Sequence, residues 1–454
     1  MSSEAPMRDD INVNLRETPS SADPNLHRIV IVGGGAAGLA LATRLGRKLG
    51  RRGKISITLL DKSRLHIWKP LLHEIASGSL DSETDSLELI AHARWNHYRY
   101  RIGAMQGLNR AKRQIHVAPS FDDEGRQVIP QRIIGYDTLV IAVGSICNDF
   151  GTPGVAEHAI KLDTLDEAAR FNQRLINACL RANAQYEPLQ PGQLHCAIIG
   201  AGATGVELAA EIHKTMRDIG SYNLDSIDID KLVQIDLIEA APRLLPALPE
   251  HLAKSTEELL RKLGVIIHTN TRVIAIGDGK VELQSGETIQ AELIVWSAGI
   301  KAPDFLSGLD GLESDRSNRL VVRPTMQTTR DDDVFAIGDC ACCVLPGSKT
   351  SLPPRAQTAH QQASYMVNVI EARFKKKPLP VFTYRDFGSL VSLSDYRTFG
   401  NILGGLKIEG MFAQLMYRSL HKMHLRTLHG TTKVALRTLG ELIAKRTEPR
   451  IKLH

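Results

Sequence analysis

The residues best placed to do chemistry in this chain are two glycine clusters, each followed by a carboxylate. Gly33, Gly35 and Gly38 sit in Gly33-Gly34-Gly35-Ala36-Ala37-Gly38, and Gly200, Gly202 and Gly205 repeat the G-x-G-x-x-G spacing in Gly200-Ala201-Gly202-Ala203-Thr204-Gly205. In such a loop the first glycine allows the tight turn, the second lets a pyrophosphate reach the backbone, and the third lets helix and strand pack closely. An acid at the end of the next strand accepts both ribose hydroxyls of the adenosine half. Asp61, 23 residues beyond Gly38, is so placed for the first loop, and Glu239 for the second. A carboxylate at Glu239 repels a 2′-phosphate and so favours NAD(H), while Arg243, four positions on, leaves NADP(H) open. Two such loops in one chain suit a hydride relay, with a flavin dinucleotide at one and a nicotinamide at the other.

Strands and helices must stand behind both loops. Residues 28–32 read as a buried parallel strand, 39–49 as the helix after the first loop, and 55–60 as the strand that delivers Asp61. The second set is a strand at 195–199, a helix running on through 206–210, and a strand at 233–238, delayed by an acid-rich insertion around 216–230. A third strand, 333–338, carries Gly338 and delivers Asp339 toward the ribityl and phosphate region of a flavin, which puts FAD in the first site. Two strand-to-glycine junctions, ending at Gly144 and Gly299, mark where the chain leaves the FAD domain and returns. The expected class is α/β with two Rossmann-like domains, the NAD domain inserted into the FAD domain. The expected divisions are a disordered leader at 1–26, an FAD domain at 27–150 and 297–400, an NADH domain at 151–296, and a membrane-associating C-terminal segment at 401–454.

Composition narrows the alternatives. With 454 residues, 43% hydrophobic and 23% charged, the chain is ordinary for a multi-domain globular protein, which excludes collagen, a disordered chain and a disulfide scaffold. The leader has no apolar stretch to act as a signal peptide, and no run reaches the 18 or so apolar residues of a spanning helix. Of the net charge of +6, residues 401–454 carry +7, leaving −1 for the rest. There Ile408, Met411, Phe412, Leu415, Met416, Leu420 and Met423, then Val434, Leu436, Leu439, Leu442 and Ile443, recur at helical spacing beside Lys and Arg. Two amphipathic helices on an anionic lipid surface are expected, the alternative being that the stripe packs on the protein's own core. Nucleic acid is not the expected partner, because the aromatics able to stack bases there, Phe412 and Tyr417, are few. His421, His424 and His429 read as interfacial. Cys340, Cys342 and Cys343 lack a second ligand pair and read as packing, so no metal is expected.

The acceptor side is carried by residues 355–366. Pro353-Pro354 makes a good helix start, Gln357 and Gln361 share a face at i and i+4, and Ala356, Ala359 and Ala363 leave room for a flat ring. The helix N-terminus can stabilise negative charge developing on a flavin. The Gln pair can hydrogen-bond the carbonyls of a quinone, or simply be solvated. No Cys lies between Asp61 and Cys147, which argues against a thiol relay. Glu207 reads either as a group beside the nicotinamide or as a helix-surface Glu. Lys69 reads either as a flavin contact or as an exposed Lys.

The two loops, the Val334-Phe335-Ala336-Ile337-Gly338-Asp339 segment and the junctions resemble the flavoproteins with two dinucleotide-binding domains. Within them, Trp68-Lys69-Pro70-Leu71-Leu72-His73-Glu74 and Pro354-Arg355-Ala356-Gln357-Thr358-Ala359-His360-Gln361-Gln362-Ala363 resemble the bacterial type II NADH:quinone oxidoreductases, from about His27 to the C-terminus. The resemblance implies FAD as cofactor, NADH as donor and a membrane quinone as acceptor. It also implies no proton pumping and a peripheral place on the cytoplasmic face of the bacterial inner membrane, with a homodimer possible. It gives Glu207 a role in positioning NADH or coupling its oxidation to the quinone, and gives Gln357 and Gln361 the quinone. Sulfide:quinone oxidoreductase, or a flavin-bound redox sensor with a basic partner-binding tail, are the alternatives.

Overall fold

The computed structural model describes residues 25–220, 233–246, 248–394, 396–402 and 406–444. Strand β1 (His27–Val32) buries its last four residues, as a strand covered on both faces should. It enters α1 (Ala36–Lys48) through the first glycine loop, and β2 (Ile55–Asp61) returns parallel to it with Asp61 at its end. The chain continues through α2 (Leu72–Ser77), α3 (Leu89–Trp95), β3 (Arg99–Ile102) and β4 (Thr138–Ile141), an antiparallel meander filling the gap before β4. It then leaves through β5 (Ile146–Cys147) to β6 (Ile160–Lys161) and α4 (Leu165–Ala184). Helix α4 starts at a capping box in which Thr164 and Glu167 each bond the other's backbone N–H.

The second unit repeats the first. Strand β7 (His195–Ile199) leads through the second glycine loop into α5 (Ala203–Gly220), and β8 (Gln234–Ile238) returns beside β7. Strands β9 (Ile266–His268) and β10 (Leu293–Trp296) complete the sheet, and β11 (Ile300–Lys301) carries the chain back, paired antiparallel with β5. Strand β12 (Val334–Ala336) joins the first sheet, whose order is β12-β4-β1-β2-β3, while the second runs β6-β10-β7-β8-β9. In both, the strand feeding the glycine loop lies beside the strand that ends at the acid. That adjacency brings each carboxylate to its loop.

Helix α6 (Ala356–Phe374) packs along α1 and is followed by a three-stranded meander, β13 (Gly388–Leu393), β14 (Arg397–Ile402) and β15 (Leu406–Glu409), then α7 (Met411–His429) and α8 (Thr431–Ala444). The core around the second sheet takes in Leu72, Ile75 and Ala76 of α2 and Val391, Leu393 and Phe399 of the meander. Each large side chain so buried contributes about 2 kcal/mol. Helix α2, though it lies between strands of the first sheet in the chain, therefore fastens the two sheets together.

Several expectations need correction. Residues 401–402 and 406–409 lie in strands, and Ile408 is a buried strand residue against Ala413, not the start of a helical stripe. Helix α6 runs on to Phe374, because Val367, Val369 and Ile370 pack into the core. Met216 and Ile219 are buried within α5, so the helix absorbs the start of the expected insertion. The rest of that insertion, at 221–230, residues 1–24 of the expected leader and residues 445–454 of the expected C-terminal segment lie outside the described residues.

Candidate active site

The two glycine loops share one design. A Cβ on Gly38 would stand 1.9 Å from the Gly33 carbonyl oxygen, and one on Gly205 2.0 Å from that of Gly200, so no larger residue fits at the third position. Gly33 and Gly200 have φ of +104° and +102° and press on the backbone of Ala142 and Ala298, which settles the first position. Gly35 and Gly202 are different: nothing lies within 4 Å of a Cβ at either, so both present bare backbone to open space at a helix N-terminus. Such a cradle fits a pyrophosphate. The acids close each loop in the same way. Asp61 accepts from the backbone N–H of Gly34 and of Ser63, and Glu239 accepts from those of Ala201 and Ala241, both at 2.8 Å. Burial holds the Asp61 carboxyl above its ordinary range.

One cavity of about 3150 Å³ runs from the first loop to the second. It is lined by Gly33, Gly35, Asp61, Lys69, Gly144, Gly338, Asp339, Ala356, Gln357, Gln361, Gly202 and Glu207. Gly38, Gly200 and Gly205 are buried in the backbone of the loops, while half-buried Glu239 and exposed Gly299 are not part of its lining. Gly144 and Gly299 turn at φ of +73° and +62° on either side of the β5–β11 pair, and a Cβ on Gly299 would strike the Phe150 ring. Asp339 accepts from the Ser145 hydroxyl at 3.0 Å. Lys69 donates to the Ser145 carbonyl and pairs with Asp163, both at 2.9 Å, so its ammonium joins the two sheets at the cavity wall.

The Gln pair does share a face, but its amides are engaged. Gln361 exchanges hydrogen bonds with the Arg385 backbone in both directions, at 2.8 and 3.0 Å. Gln357 accepts from the Phe387 N–H and donates to the Gly388 carbonyl. Together they clip residues 385–388 onto α6 as a further backbone strand would. Gln362, one residue on, points inward and accepts from the Gly338 N–H at 2.6 Å, tying α6 to the Asp339 turn. Sequence reading passed over Gln362; a buried Gln beside a half-buried one carries no periodic signal of its own.

Glu207 is not a surface residue. It is 6% exposed, accepts from the Ser392 N–H at 3.0 Å and from the Tyr417 hydroxyl, and has His73 Nδ1 3.8 Å away. Burial pushes its carboxyl up to about 8, and burial with the neighbouring Glu211 pushes Glu74 up to about 7. Helices α2, α5 and α7 and the meander thus converge on a buried carboxyl cluster in which Glu74 and Glu207 are held well above the ordinary carboxylate range.

Three histidines form a second buried group. His66 Nδ1 lies 2.8 Å from the Gly34 carbonyl, His66 Nε2 is 2.9 Å from His424 Nε2, and His424 Nδ1 is 3.1 Å from His360 Nε2. A carbonyl only accepts, so His66 donates from Nδ1 and accepts at Nε2; His424 then donates from Nε2, and His360 donates to His424. His424, stacked on Trp68 and 1% exposed, is therefore a core residue and not an interfacial one. Burial lowers His66 and His360 to about 4 and holds His424 well below the ordinary histidine range, so all three are neutral at pH 7. Because the folded values lie below the unfolded one of 6.5, their stabilisation is present above pH 6.5 and is lost as pH falls toward 4. For His66 alone the difference is on the order of 3 kcal/mol. Melting temperature should fall steeply across that window, and His424→Leu should flatten the slope; an unchanged slope would contradict the chain of neutral rings.

Placement disfavours the thiolate: Cys340 and Cys343 are buried and Cys342 partly so. Burial pushes Cys340 up to about 12 and Cys343 to about 11, and Cys340 is fully buried. Among the described residues no cluster of His, Cys, Asp and Glu is arranged to hold a metal. Replacing Cys340, Cys342 and Cys343 by Ala should leave turnover unchanged and cost about 1 kcal/mol of stability for each buried site. Loss of turnover with the fold intact would revive a sulfur relay.

The doubled βαβ unit, the two loops and the cavity between them define a flavoprotein with two dinucleotide sites. The sequence pattern of the pyridine nucleotide-disulphide oxidoreductases matches residues 27–363. The chain is 41% identical to the type II NADH:quinone oxidoreductase of Haemophilus influenzae over 94% of its own length and all of that relative's. It is 29% identical to one from Mycobacterium tuberculosis over 90% of this chain and 86% of that one. The chain belongs to the type II NADH:quinone oxidoreductase family. Its fold is similar to that of the Plasmodium falciparum NDH2 solved with NADH, at a TM-score of 0.79 and 19% identity over 94% of this chain and 99% of that one. The sulfide:quinone oxidoreductase of Aquifex aeolicus shares the fold at a TM-score of 0.69 and 18% identity, over 89% and 92% of the two chains.

Proposed function

We infer that this protein is an FAD-dependent enzyme that oxidises NADH and delivers the electrons to a quinone without pumping protons. The observation that carries the reading is the single cavity joining two pyrophosphate cradles to the Gln357–Gln361 face. In this reading residues 27–150 and 297–400 hold FAD through Gly33, Gly35, Gly38, Asp61, Gly338 and Asp339, with Ala356 at the positive end of α6. Residues 151–296 hold NADH through Gly200, Gly202, Gly205 and Glu239. Bound FAD supplies a ring that takes a hydride from nicotinamide and hands two electrons to quinone. Lys69 spans the two sheets at the wall and keeps the halves in register. Gln357 and Gln361 order residues 385–388 as the acceptor wall. Glu207, protonated at neutral pH, holds a proton beside the nicotinamide helix, and Tyr417 links it to the C-terminal helices.

The C-terminal segment is read as a peripheral anchor on the cytoplasmic face of the bacterial inner membrane. Met411, Phe412, Leu415, Met423, Leu436 and Leu439 are exposed, so this apolar stripe is left uncovered, while Leu425, Leu428 and Val434 hold the helices to the body. Among the described residues no helix is long and apolar enough to cross a membrane. The sulfide alternative needs reactive thiols, whereas burial pushes Cys340, Cys342 and Cys343 up, away from the thiolate.

Steady-state NADH oxidation tests the reading. Turnover should depend on added quinone and should favour NADH over NADPH, and Glu239→Gln should narrow that preference about tenfold by removing repulsion of the 2′-phosphate. Equal use of the two nucleotides by the wild type would contradict the assignment of Glu239.

A further inference from the structure

We propose that helix α3 is a second point of contact with anionic lipid, outside the C-terminal segment, and that Trp95 is its anchor. The proposal rests on the membrane reading above and extends it to a part of the chain more than 300 residues earlier in the sequence.

Trp95 ends α3 and is 69% exposed, and Ile90, on the same helix, is 61% exposed. A large indole left in water on a rigid helix is uncommon, since burying a side chain of this size is among the more favourable events in folding. Here the helix is held firmly while its indole is not covered. His92 bonds the Leu428 carbonyl of α7 at 3.1 Å and the Tyr98 hydroxyl at 2.9 Å. Arg47 of α1 joins Asn96, which caps α3, to the carbonyls of Thr427 and Leu428. The C-terminal end of α3 is thus locked against the turn between α7 and α8, beside the helices that present Leu436 and Leu439 to solvent.

The charges around Trp95 say what would cover it. Lys433 of α8 stands over the indole, its ammonium 5.3 Å from the ring centroid. Arg94 precedes Trp95 and is exposed. Gly50 lies so close to the His97 carbonyl that a Cβ would stand 2.4 Å away, which brings exposed Arg51 and Arg52 to the same end of α3. The nearby acid Asp85 is taken up by Arg437, and exposed Glu88 lies at the opposite end of α3. An exposed indole with Lys433 over its ring and exposed Arg94, Arg51 and Arg52 at the same end of the helix matches the boundary of an anionic bilayer, where Trp sits at headgroup level and Lys and Arg meet phosphate. A protein partner with an apolar face would leave those cations without counter-charge.

The chain carries an internal reporter for this. Of its three tryptophans, Trp68 and Trp296 are 7% and 2% exposed, so Trp95 dominates whatever reaches quenchers from outside. The full-length, FAD-loaded enzyme would be mixed with phosphatidylcholine vesicles with and without phosphatidylglycerol, the acyl chains brominated in a parallel set, while sedimentation measures binding separately. The expected result is bromine quenching that requires phosphatidylglycerol and disappears in Trp95→Phe, and binding weakened about tenfold in Trp95→Ser with NADH turnover in detergent unchanged. Sedimentation with vesicles but no quenching of Trp95 would overturn the proposal and leave the C-terminal anchor standing. Failure to sediment at all would remove both. Shielding of Trp95 from a soluble quencher as protein concentration rises, without lipid, would assign the face to a second copy of the chain instead.

Discussion

Gly202→Asp is expected to leave FAD bound and the fold intact while weakening NADH binding about a hundredfold. Nothing lies within 4 Å of a Cβ at Gly202, and its carbonyl accepts the first helical bond of α5, from the Val206 N–H. Asp is a preferred residue at that position and would cap the helix. The same carboxylate would occupy the place where the pyrophosphate must approach, and like charges so juxtaposed cost several kcal/mol; about 3 kcal/mol corresponds to that hundredfold loss. The matching change Gly35→Asp, at the N-cap of α1, should instead yield folded protein without FAD. Unchanged NADH affinity in Gly202→Asp would mean that the second loop is not the nicotinamide site.

The second large effect is expected on the acceptor side. Changing Gln357 and Gln361 together to Leu removes the bonds that hold residues 385–388 against α6. Bleaching of the flavin by NADH should proceed at the wild-type rate, because neither side chain reaches the second loop. Recovery of colour with quinone should slow by about a hundredfold, the lower end of what losing a positioned hydrogen-bonding group costs. Rapid mixing separates the two phases. Slowed bleaching with normal recovery would place the acceptor elsewhere.

The sequence was most informative where function constrains local geometry. The glycine loops are legible because Gly33, Gly38, Gly200 and Gly205 answer to steric demands of their own backbone neighbourhood, and the strands behind them are continuous apolar runs. Asp61 and Glu239 follow from strand adjacency alone. What escaped notice depends on contacts distant in sequence. His66, His360 and His424 lie on three separate elements, and nothing near any of them in the chain announces the other two. Glu207 looks like a helix-surface Glu until α2, α7 and the meander enclose it. The meander itself was missed because short strands interrupted by Gly and Ser lack a strong period, and Ile408 was drawn into the helical stripe that follows it. Gln357 and Gln361 were correctly placed on one face, yet their bonds to residues 385–388 required knowing where that loop returns.

The most direct test of the account is an anaerobic double-mixing measurement on the purified holoenzyme. NADH added first should bleach the bound flavin fully, and quinone added second should restore it, yielding one quinol for each NADH consumed at a rate no slower than steady-state turnover. Flavin that bleaches with NADH but regains its colour only when oxygen is admitted would contradict the claim that this cavity connects a nicotinamide site to a quinone.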